Sequence, residues 1–257
     1  MDEEGLGKFN QKNFLYPQKG TIGMAQNQLT KRIGYYVKKH LLWNTPLIAF
    51  ILYIPFSEQI DLNVSASFLG PEGKFQASTW CWKIYRYGLR PGQLLFVTSI
   101  ITTCIALLLR KRKTFLHALY VSLVLIIGSG IIGHGIFKRF WQRPRPKQTI
   151  LFGSKYPFCA IYKRYTGPVD RHLRSVPSGH ATMGFYFISL FFLGRRLNKK
   201  FLAITGIALT LILTFLLSWA RLAQGGHFLS DLLAACVIMW TTAYWLDILF
   251  DKLERPT

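Results

Sequence analysis

Three polar clusters punctuate the apolar second half of the chain: Lys138-Arg-Phe-Trp-Gln-Arg-Pro-Arg-Pro146, Pro177-Ser-Gly-His180 and Arg221-Leu-Ala-Gln-Gly-Gly-His-Phe-Leu-Ser-Asp231. Apolar runs at 115–137, 181–193, 201–220 and 229–250 separate and flank them, and two more lie upstream at 41–56 and 92–109. Most of these runs have roughly 16–22 residues, close to what a helix needs to cross a bilayer. The sequence therefore predicts an all-α integral membrane bundle of six transmembrane helices. Residues 1–40 read as a basic, cytoplasmic or interfacial segment, and 41–257 as the membrane domain. The polar stretch 57–90, with Trp80, Trp82, Tyr85 and Tyr87, reads as a loop lying partly on the membrane, where aromatic rings favour the headgroup layer.

A net charge of +21 raises nucleic acid as a partner. Here most basic residues sit beside apolar runs, where anionic lipid headgroups are the simpler partner. The expected partners are a bilayer and a lipid with a phosphate headgroup, and no nucleic acid. The hairpins Arg110-Lys-Arg-Lys113 and Arg195-Arg-Leu-Asn-Lys-Lys200 favour the cytoplasmic side. With six crossings, both termini are then cytoplasmic and all three clusters extracytoplasmic. The segment 138–176 is also rich in Lys and Arg, which breaks that rule unless those charges bind something anionic. Four cysteines are too few for a disulfide scaffold. Cys104 and Cys236 fall inside apolar runs and read as packed, inert thiols. Cys81 and Cys159 fall in segments expected as loops on one side, and their pairing is left open. Residues 1–28 are polar without an apolar core, so insertion is expected to rely on the spans themselves.

The clusters carry the chemistry. His227 and Asp231 are four residues apart at a helix start, on one face. The carboxylate can fix the imidazole tautomer and leave the other ring nitrogen free to attack. Ser178, Gly179 and His180 open a helix, where backbone N–H groups favour an anion, and His180 can give a proton to a leaving oxygen. Lys138, Arg145 and Arg221 are fixed cations suited to the spread charge of a phosphoryl transition state. Taken singly, each cluster has a plainer reading: a capping Asp, an N-cap Ser, a snorkelling basic helix end. His134, among the glycines of the third run, reads as a buried, hydrogen-bonded structural histidine, with a supporting place beside the site as the alternative.

Together and in this order, the clusters resemble the type 2 phosphatidic acid phosphatase superfamily, which also includes vanadium haloperoxidases. Lys138 with Arg145-Pro146, Pro177-Ser178-Gly179-His180, and Arg221 with His227 and Asp231 fit that family's pattern. One departure is Ala220, where the family has Ser. The resemblance covers about 90–250 and implies roles for these positions. His227 is the nucleophile that forms a phosphohistidine, Asp231 orients it, and His180 protonates the leaving group and then activates water. Lys138, Arg145, Arg221, Ser178 and the Gly179 N–H hold the phosphate. No metal and no cofactor are implied.

A softer resemblance concerns Trp141-Gln-Arg-Pro-Arg-Pro146, the insert up to Pro177 and the 61–75 region. These are similar to the bacterial branch that includes lipid A phosphatases, which implies the inner membrane with a periplasmic site. Arg143, Arg171 and Arg174 are then candidate headgroup contacts, with Lys147, Lys155, Lys163 and Arg164 as further cations for a head with more than one phosphate; Arg143 apart, these cations read equally as a solvated, membrane-facing surface. Lipid A is favoured over undecaprenyl diphosphate and phosphatidylglycerol phosphate. A phosphotransferase with the same intermediate and a non-enzymatic lipid-binding or transport protein are the readings of other classes.

Overall fold

The computed structural model describes residues 43–167 and 172–255, with positions 30, 34, 40 and 41 before them. Residues 1–45 and 46–257 form separate compact units, and nearly all of the first lies outside the described residues, as does Arg171. The described residues are helical, with only two isolated β-bridges. We number the helices α1 (Thr45–Ala66), α2 (Thr79–Leu108, with a joint at 88–89), α3 (Arg112–Phe140), α4 (Gly179–Phe185), α5 (Ile188–Arg196), α6 (Lys200–Ala223) and α7 (Leu229–Glu254).

Five of these, α1, α2, α3, α6 and α7, are long and apolar enough to cross a membrane. The sixth expected span is two short pieces, α4 and α5, which run from one end of the bundle to the other. His180 at the head of α4 shares a cavity with His227, while Arg195 and Arg196 at the foot of α5 pair with Asp247 near the far end of α7. The outward surface is apolar, with Phe201 84% and Phe215 64% exposed on α6. On helices of this length and apolarity, such a surface suits contact with lipid. The chain is a multi-pass membrane protein.

The expected loop at 57–90 is mostly helix. Residues 57–66 continue α1, and 79–87 form the first part of α2, capped by Ser78. Glu58 and Asp61 gave the stretch a polar look, but Asp61 has no exposed surface.

Lipid tails are as apolar as leucine, so helices associate here by close packing, which small residues permit. A Cβ on Gly206 of α6 would stand 2.4 Å from the backbone nitrogen of Phe191 on α5, and one on Gly194 of α5 2.5 Å from that of Ala203 on α6. On Gly184 of α4 it would sit 2.8 Å from the Thr214 backbone. The two short helices thus lie directly on α6. Val124–Phe137 of α3 is π-helical, a form common at functional sites, and its Gly128 faces Met239 of α7, where a Cβ would come within 2.8 Å of the sulfur.

Gly206→Ala forces two backbones apart and should lower the thermal midpoint in detergent, by about 1–3 kcal/mol of stability. Gly130→Ala, whose Cβ would meet nothing nearer than 3.9 Å, should leave the midpoint close to that of the wild type.

Candidate active site

Four helix ends meet where the three clusters fall: the end of α3 with Lys138, the start of α4, the end of α6 with Arg221 and the start of α7 with Asp231. The basic hairpins lie at the opposite end, where Arg112 donates to the Leu253 carbonyl and Arg195 and Arg196 meet Asp247. A cavity of about 730 Å³ opens at the clustered end. Lys138, Arg145, Gly179, His180, Arg221 and His227 line its polar part, and Leu89, Phe96, Leu125, Ile126 and Met183 line an apolar continuation between α2 and α3. Among the described residues no carboxylate lines it.

His227 occupies the turn between α6 and α7 and is 3% exposed. Its Nδ1 stands 3.7 Å from Asp231 Oδ2, beyond a hydrogen bond but close enough for the carboxylate to direct the ring. Burial, with Arg221 and Arg145 nearby, outweighs Asp231 and pulls the imidazole down to about 3. At neutral pH it is an uncharged base. The Asp231 carboxylate itself accepts three hydrogen bonds. Its Oδ1 accepts from Arg143 at 2.6 Å, and its Oδ2 accepts from the Phe228 N–H at 2.9 Å and from the Ser175 hydroxyl.

Arg143, expected at the headgroup, is instead wholly buried. Its guanidinium donates to Asp61 at 2.8 Å, Asp231 at 2.6 Å, Ser230 at 2.7 Å and the Cys159 carbonyl at 2.7 Å, and lies over the Phe228 ring. Burial alone would lower its affinity for a proton, but Asp231 and Asp61 hold it up. Asp61 also accepts from the Ser230 N–H at 2.8 Å, in the first turn of α7. One guanidinium therefore ties α1, the long insert and α7 together directly behind His227.

His180 stacks on Tyr85, with ring centroids 4.5 Å apart, and its Nε2 has no partner in the protein. Burial, then Arg221 and the other cations, brings its imidazole down to about 4. Arg221 lies over the same Tyr85 ring and donates from Nη1 to Gln224 Oε1 at 2.5 Å. Gly226 leaves it room, since a Cβ there would stand 2.3 Å from the guanidinium. The Nε atoms of Arg145 and Arg221 are buried without partners, donors left open for an anion. Lys138 Nζ lies 3.0 Å from His134 Nε2, whose Nδ1 is 2.7 Å from the Ser129 carbonyl. That pairing fits a proton on Nδ1 and a lysine that donates to Nε2. His134 is thus hydrogen-bonded as expected, but it is exposed to the cavity and holds Lys138 rather than sitting in a core.

Ser178 is fully buried as the N-cap of α4, its hydroxyl facing the Ala181 N–H at 3.4 Å, and it does not line the cavity. Its main-chain N–H instead donates to the Asp231 carbonyl at 3.2 Å. Arg174 is exposed and outside the lining. Cys81 and Cys159 are free thiols buried in separate clusters. Cys104 is exposed rather than packed. The sequence did not point to Gln224, Ser175 or Asp61 at the site, and it placed Tyr85 in the headgroup layer rather than under His180. Only Asp61 carried a signal, as an acid on the flank of an apolar run.

The sequence model of the PAP2 superfamily matches residues 119–255. A lipid A 4'-phosphatase of Francisella tularensis subsp. novicida (strain U112) is 26% identical over 125 residues, 49% of this chain and 54% of that protein. A lipid A 4'-phosphatase of Rhizobium etli is 32% identical over 122 residues, 48% of this chain and 43% of that protein. The chain spans about half the length of the curated relatives it matches. No solved structure matches.

Both imidazoles titrate below their ordinary value of 6.5 in the folded protein. Between pH ~6.5 and ~4 the unfolded chain then binds more protons, so stability falls as pH falls through that window. The thermal midpoint in detergent should drop from pH 7 to pH 4.5, with a shallower slope in His180→Asn/His227→Asn. Arg143→Ala leaves two buried carboxylates unpaired and should cost about 3–5 kcal/mol, read as a lower midpoint at pH 7.

Proposed function

The chain belongs to the PAP2 superfamily, and on that premise we propose that it is a lipid phosphatase working through a phosphohistidine on His227, with lipid A as the favoured substrate. The observation that carries this reading is the shape of the cavity: three cations and two uncharged imidazoles at its polar end, opening into an apolar groove between α2 and α3. A phosphate on a lipid needs both at once. Its oxygens meet Lys138, Arg145, Arg221 and the Gly179 N–H, while an acyl chain lies against Leu89, Phe96 and Leu125.

Entry of the phosphate offsets the cations that hold the imidazoles low, so His180 can take up a proton. His227 Nε2 attacks phosphorus as the ester P–O bond breaks, and His180 gives its proton to the leaving oxygen. Asp231 steadies the positive charge left on the ring. His180, now neutral, takes a proton from water, whose oxygen attacks phosphorus and breaks the P–N bond. Inorganic phosphate and the starting imidazole result. Every charge in this sequence is balanced by a protein group, so the reaction is proposed to be independent of metal. Ser178, buried and outside the cavity lining, is left out of the phosphate contacts.

With the basic hairpins at the far end of the bundle, the same reading puts both termini and residues 1–40 on the cytoplasmic side of the bacterial inner membrane, α4 with α5 as the sixth crossing, and the site in the periplasm. Lipid A is preferred because it is the substrate named for both curated relatives.

Purified protein in detergent with EDTA should release phosphate from lipid A, and vanadate should inhibit it. His227→Ala should reduce the rate by more than roughly 10³-fold and His180→Gln by roughly 10²–10⁴-fold. Loss of all activity in EDTA would overturn the metal-free step. Run in ¹⁸O-water, hydrolysis puts the heavy oxygen into free phosphate, whereas a phosphorylated acceptor lipid without it identifies a phosphotransferase.

A further inference from the structure

A second cavity, of about 610 Å³, lies beside the first. Its walls include Lys74, Phe75, Trp82, Lys147, Phe152 and Gln224. Two contacts form the partition between the cavities. Arg221 lines the first cavity and donates to Gln224 Oε1, which belongs to the second, at 2.5 Å. Trp82 of the second meets Tyr85 of the first edge to face, with centroids 5.8 Å apart.

Three features define what this second cavity accepts. Its lining charges are two lysines, and among the described residues no carboxylate lines it, so it favours an anion. Gln224 is 6% exposed, and with Oε1 taken by Arg221 its Nε2 is a buried donor with no acceptor in the protein. A buried amide left open in this way calls for a partner from outside. Phe75 and Phe152 meet edge to face at 5.4 Å, and with Trp82 they offer aromatic surface beside those donors. Aromatic faces next to hydrogen-bond donors suit a sugar ring, with its C–H face and hydroxyl rim.

The cavity is also built onto the catalytic turn. Gly225 has φ +57°, and a Cβ there would stand 2.4 Å from the Phe75 ring. The Lys147 N–H donates to the Gly225 carbonyl at 3.1 Å, and the following turn is pinned by Ile150 to the Tyr156 carbonyl at 2.7 Å. Burial, then Arg145 and Arg221, lowers the Lys147 ammonium, which marks how near it stands to the phosphate cations.

We propose that this second cavity is a headgroup subsite that holds the unreacted part of a phosphorylated glycolipid, a sugar ring bearing a further anionic group, while the ester to be cleaved sits among Lys138, Arg145 and Arg221. The proposal deepens the phosphatase reading and rests on it for the identity of the cleaved bond. Among the described residues, Lys147 is the cation that the 138–176 insert brings to this cavity.

The test compares wild type with Lys74→Gln/Lys147→Gln, each also in a His227→Ala background. The probes are lipid A with two phosphates and phosphatidic acid with one. The KM for lipid A should rise roughly tenfold or more with loss of two charge-assisted contacts. Turnover of phosphatidic acid should stay within about twofold. In the His227→Ala background, binding of lipid A in detergent should weaken by a similar factor and binding of phosphatidic acid should not. Equal loss with both lipids, or no loss with either, overturns the subsite. If wild type hydrolyses neither lipid but the lysine changes still weaken lipid A binding selectively, the phosphatase reading fails and the subsite stands.

Discussion

Arg143 has no exposed surface, and its guanidinium lies between Asp61 of α1 and Asp231 of α7. Burying three charges is not a route to stability, since apolar residues of the same volume serve as well or better. What apolar residues cannot do is saturate one face of Asp231 while leaving the other turned toward His227. The ion pair also fixes the first turn of α7, because Asp61 accepts the Ser230 N–H while Asp231 accepts that of Phe228. The position of His227 is thus set by a helix of the first third of the chain, an insert from its middle and the start of its last helix.

The other half of the site is an unbalanced field. Lys138, Arg145 and Arg221 face a cavity with no carboxylate among the described residues, and the two imidazoles beside them are held low by burial and by those cations. A site of this kind has no counter-charge of its own and is completed by an anion. Preplaced cations in a partly dry cavity stabilise spread phosphoryl charge with little reorganisation. The neighbouring parts hold these groups still: Tyr85 under both His180 and Arg221, His134 against Lys138, Gln224 against Arg221.

Much of this was legible in the sequence because it is local. The apolar runs marked the helices to within a turn at most ends, and the three polar clusters, through their family resemblance, named Lys138, Arg145, His180, Arg221 and His227, which meet in the cavity. What depended on partners far along the chain was not legible. Asp61 looked like a loop residue because its partner, Arg143, is 82 positions away. Arg143 looked like a surface cation for the same reason. Ser178 reads equally well as a cap or an anion ligand until the cavity wall is drawn. The break between α4 and α5 leaves no mark in a continuous apolar run, and the second cavity joins 74–82, 147–154 and Gln224, which no spacing connects.

In the proposed reaction His227 carries the phosphoryl group while Arg143 and Asp231 hold it in place. The most direct test is to quench wild-type protein in alkali during turnover of a lipid labelled in its phosphate, and to locate the label by peptide mapping. An acid-labile, alkali-stable phosphoryl group is expected on His227, lost in His227→Ala and reduced in Arg143→Lys. A label on any other residue, or full turnover with no phosphorylated protein even in His180→Gln, where water attack should be slow, would contradict that reaction.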